Sequence, residues 1–180
     1  MVRALLGGRK TQTRRLAENR NAAQIQPGDR LWVRETWNVS TAYDDLSPSE
    51  MSGEEDVVYR VDGATQPMRP TGRTRSPIYM PRWASRLTLI VREVRFDFLD
   101  AITPADAIAE GAQKSRVSCG NKMIDGWGMG DARFSASPRG AFFAYWDRLN
   151  PKRPANDGPK VSVITFDVVR RNIDQIGGGQ

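Results

Sequence analysis

The sequence predicts an α+β fold in which a small, strongly bent sheet or barrel is decorated by helices. Three observations support this prediction. Residues 87–99 form the strongest strand pattern in the chain, residues 161–169 form a second one, and helix signals begin at Thr103 and Arg139. The first strand is long enough to bend across a barrel, and a bulge near Arg92 would re-register its second half.

Composition indicates a soluble globular protein with a single domain over residues 1–180. Of its 180 residues, 39% are hydrophobic and 27% are charged, which is typical of a chain that buries a core. No apolar run approaches the roughly 20 residues that a bilayer helix needs, and residues 1–6 are too short for a signal peptide. We therefore expect a cytoplasmic protein without a membrane partner. The net charge of +6 favours an anion-bearing ligand.

The rare residue types restrict the chemistry. The chain has no histidine, which excludes Ser-His and Cys-His dyads and histidine-ligated zinc sites. Its single cysteine, Cys119, excludes an internal disulfide and a multi-cysteine metal cluster, and we interpret it as incidental. Any catalysis must therefore use Lys, Glu, Asp, Thr, Ser or Tyr side chains, and we expect no metal and no other cofactor.

The N-terminal residues combine a short helix with a basic segment. Residues 2–6 predict a helix that Gly7 and Gly8 end through a left-handed cap. Residues 8–15 then read Gly-Arg-Lys-Thr-Gln-Thr-Arg-Arg. This segment is either a solvated basic turn or a site in which a lysine and threonines supply base and nucleophile while arginines hold an anion. In an extended strand Lys10 and Thr13 would point to opposite faces, so a shared site needs a bend between them.

The next third of the chain predicts strands separated by loops. Residues 27–29 form a turn signal, residues 30–37 a strand, and residues 57–61 a short strand. We interpret residues 38–56 as an irregular insertion with solvated carboxylates, and residues 66–77 as a basic loop that is solvated or covers an anionic ligand. Trp37, at the end of the strand predicted over residues 30–37, packs in the core or stacks on a base.

Two features flank the long strand. Arg82 and Trp83 precede it, and a cation beside an aromatic ring packs either over a planar base or over its neighbour. After it, Thr103 and Pro104 start a helix that ends at Gly111. Glu110 then lies at a helix C-terminus, where the macrodipole disfavours a carboxylate, and this placement suggests a functional role.

The C-terminal part contains one further insertion and two regular elements. Residues 113–138 are rich in glycine and are interpreted as irregular. Residues 139–150 predict an amphipathic helix whose aromatic stripe belongs to the core, and residues 161–169 predict the closing strand. There is no internal repeat and no linker between domains.

Several of these segments, in this order, resemble the ASCH domain family, whose fold is a PUA-like β-barrel. The resemblance rests on residues 8–15, 27–29, the strand from Leu87, residues 109–111 and the closing strand up to Phe166. It is especially close to phage-type members, which share residues 30–37, residues 80–86 and an aromatic helix like residues 142–150. The resemblance implies a PUA-like barrel with insertions at 38–56 and 113–138.

The resemblance also implies an activity. Small bacterial members similar to this chain are amidohydrolases that remove the acetyl group from N4-acetylcytidine with a lysine, a threonine and a glutamate. Their motif matches Lys10, Thr13 and Glu110 here, and a following arginine matches Arg15. The implied substrate is a modified nucleoside or base, and the implied mechanism needs no metal.

Residue chemistry is consistent with that implication. Neighbouring cations would lower the pKa of Lys10 from about 10.4, so that it could take a proton from Thr13 or from a water. Glu110 would donate a proton to the departing nitrogen or hold the base. The side chains expected to bind substrate are Arg15, Arg9, Arg82, Trp83 and Trp37.

A second function class is a nucleic-acid-binding module, since PUA-like domains commonly bind RNA. The arginines available to phosphates are Arg69, Arg73, Arg75, Arg82 and Arg86. Some ASCH relatives are ribonucleases, which is a third alternative.

Overall fold

The computed structural model describes residues 1–63 and 71–176, apart from the side chain of Cys119. These residues group into two compact units. The first unit contains Arg3–Asp29 and Val91–Asp167, and the second contains Arg30–Ile90 and the described residues from Val168 onward. No helix among the described residues combines the length and the apolar character needed to cross a bilayer.

The structure is α+β, as predicted, with a curled antiparallel sheet that is compatible with a small bent barrel. The α-helices are α1 (Val2–Leu6), α2 (Arg20–Ala23), α3 (Pro104–Ala109) and α4 (Pro138–Leu149). The strands are β1 (Gln12–Leu16), β2 (Arg30–Trp32), β3 (Trp37–Asn38), β4 (Val58–Tyr59), β5 (Thr88–Phe98), β6 (Gln113–Cys119), β7 (Lys122–Gly128) and β8 (Lys160–Val169). The four-stranded sheet has the order β1-β8-β5-β2, while β3 pairs with β4 and β6 pairs with β7.

The N-terminal prediction is confirmed. Helix α1 covers the predicted residues, and Gly8 has the left-handed φ of +67° that ends such a helix without steric cost. Strand β1 follows and pairs antiparallel with β8, so that Thr13 lies opposite Ile164 and Arg15 opposite Ser162. The basic segment 8–15 is therefore half turn and half strand.

The first unit has its core between α4 and β8. Phe142 and Trp146 of α4 are buried in one cluster with Val161 and Val163 of β8. This confirms that the aromatic stripe of α4 belongs to the core. The amphipathic pattern was readable in the sequence because one face of the helix is apolar.

The interpretation of residues 113–138 as irregular is wrong for most of that segment. Residues 113–128 form a regular hairpin in which Gln113 lies opposite Gly128, and Trp127 forms a further antiparallel bridge with Ser135. The sequence carries no clear strand pattern here because residues 122–125 of β7 are exposed on both faces. No alternation of apolar and polar residues therefore marks one face of the hairpin.

The predicted strand over residues 30–37 is also corrected, since it divides into β2 and β3. Residues 38–56 are not a wholly solvated insertion. Val39 and Met51 are buried and pack in the core of the second unit with Trp37 and Met80. These apolar residues are too widely spaced in sequence to form a helical or strand period.

Candidate active site

The turn before β1 brings Lys10 to the end of α3. The backbone N–H of Lys10 donates to Ala4 O (3.1 Å), and that of Thr11 donates to Ala109 O (2.9 Å). Ala109 is the last residue of α3, and Glu110 follows it directly. These backbone hydrogen bonds hold residues 10 and 110 side by side, although 100 positions separate them in the sequence.

The Lys10 ammonium is surrounded by acceptors inside the protein. Its Nζ donates to Glu110 Oε2 at 2.7 Å, to Glu110 O at 2.9 Å and to Gln12 O at 2.7 Å. Lys10 is 7% exposed and Glu110 is 3% exposed. Three acceptors match the three N–H groups of an ammonium, so this geometry represents the protonated resting form.

Burial lowers the pKa of Lys10 from its usual value near 10.5. The Glu110 carboxylate opposes this effect, because it attracts and hydrogen-bonds the charged form, while Arg15 and Arg14 add to it through charge repulsion. Among these influences, burial is the largest. Lys10 is therefore a cation that gives up its proton more readily than a surface lysine does.

The local structure of α3 explains how Glu110 reaches this place. Thr103 accepts from the backbone N–H of Asp106, and Asp106 accepts from that of Thr103, which is a complete capping box at the helix start. Gly111, with φ of +110°, turns the chain away immediately after Glu110. The carboxylate that the macrodipole disfavours is stabilised by ion pairs instead.

Arg14 was included among the arginines of the basic segment but was not assigned from the sequence to the site beside Lys10, Thr13 and Glu110. Its Nη1 donates to Gln12 Oε1 at 2.5 Å and lies 3.3 Å from Glu110 Oε1, and its Nη2 lies 3.3 Å from Asp106 Oδ2. The guanidinium is 5.9 Å from the centroid of the Phe142 ring. The alternation of β1 was the available signal, because Arg14 must face the same side as Gln12.

Thr13 lies on the other face of β1 by the same alternation. Its Oγ1 accepts a hydrogen bond from Arg15 Nη1 at 2.7 Å. Within the described part of the chain, no hydrogen bond joins this hydroxyl to Lys10 or to Glu110. Ser162, opposite Arg15 on β8, shares the face of Thr13, and its Oγ is buried without a hydrogen-bond partner. The structure thus joins Lys10 to Glu110 directly, and Thr13 to Arg15.

The remaining expected binding residues differ in their surroundings. Arg9 is exposed. In the second unit, Arg82 donates to both carboxylate oxygens of Asp174, and Trp83 packs edge-on against Trp37 with ring centroids 6.3 Å apart. Trp37 is completely buried, and this contradicts the expectation that it contacts a substrate, because neither face of its ring is open.

The arrangement around Lys10 is suited to proton transfer, because a buried amine and a carboxylate share a hydrogen bond. The described residues contain no group of three or more His, Cys, Asp or Glu side chains placed to hold a metal ion. Comparisons with protein-family models, with curated proteins and with solved structures gave no match to this chain. The likeness to ASCH domains therefore rests on the sequence motifs alone.

Proposed function

We propose that this protein is an amidohydrolase of the ASCH type, with a PUA-like barrel, that removes the acyl group from N4-acylated cytosine or cytidine. The observation that carries the proposal is the buried Lys10–Glu110 pair, with Nζ and Oε2 2.7 Å apart. It supports the proposal because the motif match assigns those two residues, far apart in sequence, to one reaction. Buried amines with lowered pKa values are typical of catalytic bases.

The proposed reaction begins with Lys10 in its amine form. Lys10 takes a proton from a water, or from the Thr13 hydroxyl, while that oxygen adds to the acyl carbon and the carbonyl electron pair moves onto its oxygen. Arg15, which binds the Thr13 hydroxyl, would stabilise the resulting oxyanion. The bond from carbon to N4 then breaks, and N4 receives a proton that the Lys10–Glu110 pair returns.

The two nucleophiles lead to different products of the first step. Attack by water releases the cytosine amine and the carboxylic acid together. Attack by Thr13 leaves an ester on its Oγ1, which a second water must hydrolyse. We infer the water route, with Thr13 as a positioning residue, because its hydroxyl is bonded to Arg15 and has no hydrogen bond with Lys10.

The test is hydrolysis of N4-acetylcytidine, followed by absorbance, by the wild type and by Lys10→Ala, Glu110→Gln and Thr13→Ala. Loss of general acid–base catalysis lowers rates by roughly 10² to 10⁴, and we expect losses in this range for Lys10→Ala and Glu110→Gln. Lys152→Ala and Glu54→Gln, which change exposed residues of the same types, serve as matched controls.

Two outcomes contradict the proposal. One is the absence of hydrolysis by the folded wild type across a panel of N4-acylated cytosines and cytidines. The other is turnover by Lys10→Ala and Glu110→Gln that equals that of the controls. Detection of an acyl ester on Thr13 would support the proposed activity, but it would show that the reaction follows the covalent route and not the water route.

Nucleic-acid binding is less well supported, because several of the arginines expected to contact phosphates are already engaged. Arg86 is paired with Glu35 and Asp62, and Arg82 with Asp174. The buried Arg75 donates to two backbone carbonyls, and Arg69 lies outside the described residues. Strongly salt-dependent oligonucleotide binding, or RNA cleavage, without release of cytidine would favour the RNA-binding or ribonuclease alternatives.

A further inference from the structure

The Glu110 carboxylate lies between two buried cations. Lys10 Nζ is 2.7 Å from Oε2, and Arg14 Nη1 is 3.3 Å from Oε1, so each cation occupies a different oxygen. All three residues are at most 7% exposed. The Glu110 carboxylate therefore has two cationic partners, and one of them, Arg14, also pairs with the Asp106 carboxylate at 3.3 Å.

Arg14 is fixed in this position. Gln12 accepts its Nη1 hydrogen bond, Asp106 lies beside Nη2, and Phe142 lies beneath the guanidinium. Among the described residues, its buried Nε has no hydrogen-bond partner, and its buried Nη2 forms an ion pair with Asp106 at 3.3 Å. An arginine guanidinium is effectively always protonated in proteins. Arg14 is thus a permanent positive charge on one side of Glu110.

We propose that Arg14 is a positioning residue that holds Glu110 as an anion and thereby allows Lys10 to release its proton. When Lys10 becomes neutral, the buried Glu110 carboxylate still has Arg14 as a cationic partner, and the second carboxylate of the cluster, Asp106, is partly exposed to water. The part of the inference that assigns Lys10 as the catalytic base rests on the function proposed above. The electrostatic part concerns only the four side chains Lys10, Glu110, Arg14 and Asp106.

The charges around Lys10 determine the direction of the expected effect. The charged and titratable groups that act on this cluster are Glu110 and Asp106 at α3, Arg14 and Arg15 on β1, Arg95 on β5, which lies 3.8 Å from Asp106, the amino group of Met1 before α1, and Tyr145 on α4. Without the Arg14 charge, Glu110 would interact with Lys10 alone, and repulsion between the two cations would disappear. Both changes favour the ammonium, so the pKa of Lys10 would rise.

The experiment is an NMR pH titration of the full chain labelled with ¹³C and ¹⁵N in lysine. The signals to separate are those of Lys10, Lys114, Lys122, Lys152 and Lys160. We expect the Lys10 titration to move to higher pH in Arg14→Gln and to stay in place in Arg14→Lys. Arg9→Gln is the matched control, since it removes the same charge from an exposed neighbour of Lys10, where water screens it.

Asp106→Asn gives a second test if Arg14→Gln does not fold. Removing this carboxylate leaves the Arg14 charge less compensated, so the Lys10 titration should move to lower pH. An Arg14 without an electrostatic effect on Lys10 would leave the Lys10 titration unchanged in Arg14→Gln. An unchanged or lowered Lys10 titration in folded Arg14→Gln overturns the inference, as does an unchanged or raised one in Asp106→Asn.

Hydrolysis assays on the same variants separate the two proposals. If the Lys10 titration moves as expected but the wild type hydrolyses no N4-acyl substrate, the proposed function fails and the electrostatic role of Arg14 stands. If the wild type is active and the titration does not move, the role of Arg14 fails alone. If the proposed function and the role of Arg14 both hold, Arg14→Gln should lower kcat/KM near pH 7 by about tenfold for each unit by which the Lys10 pKa rises. Arg14→Lys should retain activity.

Discussion

Lys10 carries a charge into an environment that disfavours it. Its side chain is buried, and the ammonium is retained because Glu110 and two backbone carbonyls surround it. This balance makes the residue sensitive to pH in a way that an exposed lysine is not. The consequence can be measured as stability, independently of any substrate.

We predict that the contribution of Lys10 to the free energy of unfolding increases as the pH rises towards 10.5. Its pKa is lowered in the folded state, mainly by burial, so between the lowered value and 10.5 the unfolded chain binds more protons than the folded one. The free energy of unfolding of the wild type, minus that of Lys10→Met, should therefore increase with pH in urea unfolding between pH 7 and 10.5.

Lys152→Met is the control for this titration, because it removes an exposed lysine that remains in water in both states. The wild-type minus Lys10→Met difference should rise more steeply over this range than the wild-type minus Lys152→Met difference. A wild-type minus Lys10→Met difference that falls as the pH rises would contradict the lowered pKa.

At the scale of elements, the site depends on how α3 ends. Gly111 has φ of +110°, and a Cβ built on it would lie 3.4 Å from Ala4 Cβ and 3.8 Å from Lys10 Cβ. The backbone at this position directs Glu110 towards Lys10 and starts the chain towards β6. A residue with a side chain must strain the backbone here, because L-residues rarely adopt this φ.

We predict that Gly111→Ala destabilises the protein by about 1–3 kcal/mol, the range for a residue held in a sparsely populated conformation. The matched control is Gly120→Ala in the turn between β6 and β7. Gly120 has φ of +60°, close to the left-handed region that L-residues tolerate, and no atom lies within 4 Å of an added Cβ. Urea unfolding of both variants provides the comparison, and an equal or larger loss in Gly120→Ala would contradict the prediction.

At the scale of the whole molecule, each compact unit contains its own buried ionic cluster. In the second unit, Glu35 is 2% exposed and is bound by Arg86 through two hydrogen bonds of 3.0 Å. Arg86 also binds Asp62 and lies 3.8 Å from the centroid of the Tyr59 ring. Burial raises the pKa of Tyr59 to about 12, so the ring remains an uncharged support for the guanidinium.

We predict that Arg86→Gln destabilises the second unit by about 3–5 kcal/mol, since it leaves the Glu35 carboxylate buried without a cation. Arg92→Gln should cost only about 0–1 kcal/mol, because the Arg92–Asp167 pair is largely exposed. Urea unfolding followed by far-UV circular dichroism, which reports on both units, would give the free energy of unfolding of each variant. Similar losses for the two variants would contradict a structural role for the Arg86 cluster.

The strongly patterned elements were predictable from the sequence. Helices α1, α3 and α4 and strands β5 and β8 lie within a few residues of their predicted bounds. The β6–β7 hairpin was not predicted, because its exposed outer half has no apolar face. Glu110 was selected for its unfavourable place at a helix end and for its match to a motif, and the structure locates the two cations that compensate it.

By itself, the sequence determined those elements whose causes are local. The capping box at Thr103, the glycines after α1 and the β-branched residues of β8 each act within a few residues of one another. Only the tertiary structure decided that Glu110 would bind both Lys10 and Arg14, and that Trp37 would be closed off from any ligand. Those outcomes depend on contacts between residues about a hundred positions apart or between separate loops, and no local pattern of side chains specifies such contacts.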